Sequence, residues 1–126
     1  MSTHFRRCLF LFSTVFLLIV PLASAQNELI VQEKPSVSSL LSGHIDIQIT
    51  GAPASGVKVE LYSSDWQTVL ASTATDGSGY FSLGKSQNNK LYYVQVSSPG
   101  MNSYRLRVRV KKHAAHDLMI HLSVAS

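Results

Sequence analysis

Pro53-Ala-Ser-Gly-Val57-Lys-Val-Glu-Leu61 and Thr75-Asp-Gly-Ser-Gly79-Tyr-Phe81-Ser-Leu83 are the stretches on which the fold turns. In the first, a Pro/Gly turn opens into strict alternation. Val57, Val59 and Leu61 stand against Lys58, Glu60 and Tyr62. A period of two marks a strand with one buried face. In the second, Asp76-Gly77-Ser78-Gly79 is the strongest turn signal in the chain. The Asp76 carboxylate can bond the backbone of its own turn. Gly79 can take a positive φ that a side chain resists. Phe81 and Leu83 then share one face of the next strand, and Phe81 is placed in the core.

The same period extends both ways. Ile45, Ile47 and Ile49 alternate with Asp46, Gln48 and Thr50. Thr68 to Thr75 is β-branched and apolar enough for a strand, with either face inward. Leu91 to Ser97 carries Tyr92, Val94 and Val96 in phase. Leu106, Val108 and Val110 alternate with Arg105, Arg107, Arg109 and Lys111. Leu118, Ile120, Leu122 and Val124 form the last strand. Turns fall between these runs at the spacing of about 8–12 residues usual in sandwiches. No sustained helical period is present. The reading is an all-β, antiparallel sandwich of about seven strands. Its expected core is Ile45, Ile47, Ile49, Val57, Val59, Leu61, Phe81, Leu83, Val94, Val96, Leu106, Val108, Val110, Leu118, Ile120 and Leu122. Residues 26–42 form a lead-in that reads either as an edge strand over Leu29-Ile30-Val31 or as a flexible tail.

The N-terminus has a different composition. Arg6 and Arg7 precede an apolar run from Leu9 to Leu22, and Ala23-Ser24-Ala25 supplies small residues for a peptidase. This is the pattern of a secretory signal over residues 1–25, cleaved before Gln26. The apolar run is shorter than the ~20 residues a membrane span needs. Removing it takes away the single cysteine, Cys8, and two of the 11 Lys+Arg, leaving nine against 7 Asp+Glu. These values exclude a disulfide scaffold, a thiol enzyme and a Cys-ligated metal centre. So small a charge excess also argues against a nucleic-acid binder. The expected organisation is a signal (1–25), the lead-in (26–42) and one domain (43–126), secreted to the periplasm or beyond.

The quoted stretches resemble the carboxypeptidase regulatory-like domain. Related layouts occur in the B-type repeats of collagen adhesins and in transthyretin-like sandwiches. The resembling features are the Pro/Gly turn, Gly56-Val57-Lys58-Val59-Glu60-Leu61, Thr75-Asp76 with Gly79 and Phe81, and Ser98-Pro99-Gly100. They span about Gly43 to Val124. The resemblance implies a transthyretin-like, Ig-like Greek-key sandwich and a non-catalytic accessory role. Carbohydrate binding occurs in some relatives. Hydroxyisourate hydrolases of transthyretin type end in Tyr-Arg-Gly-Ser, whereas this sequence ends Ser123-Val-Ala-Ser126, so that activity is not expected. The lysine and asparagine of the adhesin isopeptide bond are also not matched.

Three clusters are candidates for chemistry. His113, His116, Asp117 and His121 have metal-ligand chemistry, but their loop-to-strand setting favours solvated side chains, and no metal or other cofactor is expected. Arg105, Arg107, Arg109 and Lys111 would form a cationic ridge at about 6.5–7 Å intervals. Such a ridge is either a solvated face or a grip for an anionic partner. Trp66, Tyr62, Tyr80, Tyr93 and Tyr104 are placed at outward or loop positions, either as sugar platforms or as caps on the sandwich ends. No nucleophile elbow or facing carboxylate pair nominates an active site. The leading expectation is a secreted, non-catalytic module with carbohydrate as its first candidate ligand. The alternative is a protein-interaction or envelope domain using the Arg105–Lys111 ridge or a strand edge.

Overall fold

A computed structural model describes residues 27–125. The expected signal lies outside the described residues. Nine strands make two sheets, with no helix among the described residues. They are β1 (Leu29–Val31), β2 (Ser36–Ser38), β3 (Ser42–Ile47), β4 (Lys58–Tyr62), β5 (Val69–Ala74), β6 (Tyr80–Ser82), β7 (Leu91–Ser97), β8 (Ser103–Val110) and β9 (Leu118–Leu122). The larger sheet runs β1-β8-β7-β4-β5, with β2 also on β8; the smaller runs β6-β3-β9.

The expected sandwich class holds, with two corrections. There are nine strands, because the lead-in contributes β1 and β2. The sheets are also mixed. β1 and β2 run parallel to β8, and β3 runs parallel to β9. The reason is topological. Hairpins force antiparallel pairing between neighbours, but strands far apart in the chain carry no such constraint. Ser36-Val37-Ser38 has almost no apolar pattern of its own. It becomes a strand by pairing with Val108–Val110 at the edge of β8.

Between the sheets lies one core. Ile45, Val57, Val59, Phe81, Val94, Val96, Leu106, Val108, Val110, Leu118, Ile120 and Leu122 are buried. Ile47, Leu61 and Leu83 pack against it, partly buried. Ile49 does not belong. It is 80% exposed. β3 ends at Ile47, and Gly51 N–H closes a turn on the Ile47 carbonyl at 2.7 Å, so the alternation stops before Ile49. Leu41, Ala54 and Tyr92 complete the core without having been expected there.

The turn at residues 75–79 is built as its composition implies. Asp76 Oδ1 accepts from Ser78 N–H at 2.9 Å, Ser78 Oγ at 2.7 Å and Tyr80 N–H at 3.1 Å. These bonds, that of the Ser78 hydroxyl foremost, hold the Asp76 carboxyl below its ordinary pKa. Gly79 has φ +80°, and a Cβ there would stand 2.4 Å from the Ile45 carbonyl oxygen. The turn therefore presses its backbone against β3 and carries Phe81 into the core. Thr75 locks the neighbouring turn. Its buried hydroxyl donates to the Ala54 carbonyl at 2.5 Å and accepts from Val57 N–H at 2.9 Å.

Candidate functional site

Strand register decides which side chains meet on the outer face of the larger sheet. Tyr62 lies opposite Tyr93, and Tyr93 opposite Arg107. Glu60 lies opposite Gln95, and Gln95 opposite Arg105. Directly opposed residues share a face. Two rows therefore cross β4, β7 and β8, one aromatic-to-arginine and one polar.

Trp66 closes over these rows from the β4–β5 connection. Its indole centroid is 5.6 Å from that of Tyr62 and 5.5 Å from that of Tyr93, edge-on to the latter. The Arg105 guanidinium carbon lies 4.7 Å from the indole centroid. Arg105 Nε donates to Gln95 Oε1 at 2.8 Å, which fixes the guanidinium beside the ring. Trp66 is half-buried.

The loop that holds Trp66 is tied at several points. Ser63 N–H donates to the Thr68 carbonyl at 2.9 Å, and Trp66 N–H to the Ser63 carbonyl at 2.9 Å. Asp65 Oδ1 accepts from the Ser63 hydroxyl at 2.6 Å and Gln67 N–H at 3.1 Å. The Ser63 hydroxyl, then the Gln67 amide, lowers the Asp65 carboxyl below its ordinary pKa. At the apex Trp66 has φ +62°. This left-handed conformation is disfavoured for a bulky residue and is normally left to glycine. A large aromatic ring at such a position is a feature whose explanation lies in what the ring does.

The ridge residues divide. Arg105, Arg107 and Arg109 are half-buried on the outer face of β8. Arg107 donates to the Glu33 carbonyl, and Arg109 Nη1 to the Asn89 carbonyl at 2.8 Å. Lys111 lies just past the end of β8, exposed. Tyr80 is also apart from the cluster. It stands on the smaller sheet, 5.2 Å from the His44 ring. Tyr104 packs against the core, in phase with the buried Leu106. Of the aromatic and cationic candidates, Tyr62, Trp66, Tyr93, Arg105 and Arg107 come together. Gln95, Ser63 and Asp65 position them. Gln95 could not be picked out beforehand, since its role comes from cross-strand register; Ser63 and Asp65 showed only as turn composition.

The histidine cluster does not converge. Among the described residues, no three His, Cys, Asp or Glu side chains gather as a metal site. His121 Nδ1 instead meets Asp46 Oδ1 at 2.5 Å across the β3–β9 pair. His116, Asp117 and His121 line an open groove of about 510 Å³ that also runs past Gln32 of the lead-in, Tyr104 and Ile120. No helix among the described residues is long and apolar enough to cross a membrane.

The protein is thus a two-sheet β-sandwich with Tyr62, Trp66, Tyr93, Arg105 and Arg107 gathered on the outer face of its larger sheet. The carboxypeptidase regulatory-like domain model matches residues 41–123, and the chain belongs to that family. Its members are β-sandwich modules, generally non-catalytic. A comparison with curated protein sequences returns no match.

Proposed function

We propose that the chain is an exported, non-catalytic module that binds carbohydrate on the outer face of its larger sheet. The observation that carries this reading is Trp66. A tied loop holds its ring over Tyr62 and Tyr93 in a backbone conformation unfavourable to tryptophan. An aromatic face bordered by polar edges suits the C–H face of a sugar. The non-catalytic part of the reading is supported by the family, whose members are generally non-catalytic modules. Export is supported by the composition of residues 1–25. N-terminal sequencing of the secreted protein should begin at Gln26.

A glycan array followed by titration of Trp66 emission tests the binding. Saturable quenching by a glycan is the expected result, and calorimetry with the same glycan should show the binding lost in Trp66→Ala, which removes the chain's one tryptophan. An array without hits would refute the reading.

A second reading is favoured by the groove beside β9. Among the described strands, β9 pairs only with β3, and β1 and β2 pair only with β8. The groove lies between these edges, where an extended peptide of an envelope protein could add as a strand. Crosslinking from Met119, exposed on β9, should then capture one protein reproducibly.

A further inference from the structure

We propose that the ligand of the Trp66 face is an acidic glycan whose carboxylates or other oxyanions are held by the arginines of β8. This rests on the carbohydrate reading above and names its chemical class. The ground is charge that the fold leaves uncompensated. The two ion pairs among the described residues are Lys58–Glu60 and Asp46–His121. Neither includes an arginine of β8. Arg105, Arg107 and Arg109 instead donate to neutral oxygens, those of the Gln95 amide and the Glu33 and Asn89 carbonyls. Residues 1–26 contain no Asp or Glu, so no acidic side chain there can serve as a partner.

Three half-buried guanidiniums without a carboxylate are costly to hold together. Each repels its neighbours, and partial burial strengthens the repulsion and adds a desolvation cost. Each also keeps donors in reserve. A guanidinium has five N–H groups in a planar fork, and the bonds named use one apiece. These free donors are suited to bidentate capture of an oxyanion. Alternate positions on β8 place them about 6.5–7 Å apart in a line. A linear polymer with regularly repeated charge matches that arrangement better than a single small anion.

The sugar component of the inference comes from what stands beside the first two arginines. Trp66, Arg105 and Arg107 line one small cavity of about 60 Å³ together with Val31 and Gln32. Tyr93 is in register with Arg107. An apolar ring face and two forks thus meet within one patch. A uronic-acid residue has the complementary pair of groups, a C–H face and a carboxylate on the same ring. Lipid headgroups would meet the charge but leave the tryptophan without a partner. A nucleic acid would bring denser charge than nine Lys+Arg against seven Asp+Glu outside residues 1–25 are suited to meet.

The test uses protein purified as the expressing cell processes it. Affinity electrophoresis and calorimetry are run with polygalacturonate, its methyl-esterified form, dextran sulfate and neutral dextran. Polygalacturonate should bind, and esterification should weaken binding at least tenfold. Affinity should fall with salt, and the salt slope should shrink in Arg105→Gln and Arg107→Gln. Each of these variants should lose about tenfold in affinity with an unchanged melting temperature. Arg105→Lys, which keeps the charge but not the fork, should recover only part of it. Lys58→Gln on the same sheet face, already paired with Glu60, should stay within twofold. Binding to dextran sulfate in preference to polygalacturonate would assign the oxyanion to sulfate and keep the inference, provided Trp66→Ala weakens it. Equal binding to the acidic and esterified forms would overturn the inference while leaving carbohydrate binding intact. Binding to anionic vesicles of phosphatidylglycerol, run alongside, with none to any glycan, acidic or neutral, would overturn both.

Discussion

The guanidinium of Arg105 stands over the indole of Trp66, 4.7 Å from its centroid, and its Nε donates to Gln95 Oε1. Two residues 39 positions apart in sequence are joined by a loop conformation and a strand register. Neither alone would bring them together. The loop determines where the ring lies, and the β7–β8 pairing determines which arginine meets it.

The Trp66 backbone predicts an inverted glycine–alanine order. At most positions glycine is the less stable choice. At φ +62° alanine keeps the steric penalty and loses the ring, whereas glycine loses only the ring. Trp66→Gly should therefore be more stable than Trp66→Ala by about 1 kcal/mol. Urea denaturation measures it, and equal midpoints would show that the loop has relaxed.

Gly79 predicts a large cost for the smallest change. A Cβ would approach the Ile45 carbonyl to 2.4 Å, and φ is +80° besides. Backbone cannot swing aside as a side chain tip can. Gly79→Ala should lose more than about 2 kcal/mol. Gly77→Ala, where nothing lies within 4 Å, should cost far less.

Thr75 should be intolerant of its isostere. Valine fills the same volume but strands the Ala54 carbonyl and the Val57 N–H, both served by the Thr75 hydroxyl. Leaving buried polar groups unpaired costs about 1–3 kcal/mol each. Thr75→Val should be destabilised by about 2–4 kcal/mol. Thr75→Ser should recover most of that, and thermal unfolding of the two variants provides the comparison.

Acid should act through the two turn aspartates. Both carboxyls are held below the ordinary value of 3.8 by bonds to the charged form. A lowered folded-state pKa means stability present above 3.8 and lost as pH falls through the folded values. The melting temperature should therefore contain an acid-limb contribution below that pH which shrinks in Asp76→Asn and shrinks further when Asp65→Asn is added. An unchanged acid limb in that variant would place the effect elsewhere.

Ile49 and Ile45 separate pattern from packing. Both sit on the same alternation in sequence, yet Ile45 is buried and Ile49 is 80% exposed. Ile45→Ala should cost about 2–5 kcal/mol. Ile49→Ala should stay within about 0.5 kcal/mol. Near-equal losses would mean that the strand continues past Ile47.

Much of this molecule could be read from residue order. Alternation at Val57–Leu61, Leu91–Ser97 and Leu106–Val110 placed strands and their buried faces correctly, because each run has enough residues for the period to show. The Asp76–Gly79 turn was legible because its chemistry is local. The lead-in was legible only in part: Leu29–Val31 read as an edge strand or a tail, and Ser36–Ser38 did not read as a strand at all. Ser36-Val37-Ser38 is a strand only because β8 has a free edge to pair with. Parallel pairing of β3 with β9 was equally hidden, since it joins opposite ends of the domain.

The candidate site divides the same way. That Arg105, Arg107 and Arg109 share a face follows from the two-residue period of a strand, a geometric fact local to the chain. Which neighbours they meet does not. Tyr93 rather than Tyr80 joins them, because register is set by the packing of whole strands. Trp66 reaches them because Ser63 and Asp65 tie a loop into a conformation that its own apex residue disfavours. Local covalent geometry determined the faces. Long-range pairing, which depends on the core as a whole, decided which of those faces became a site.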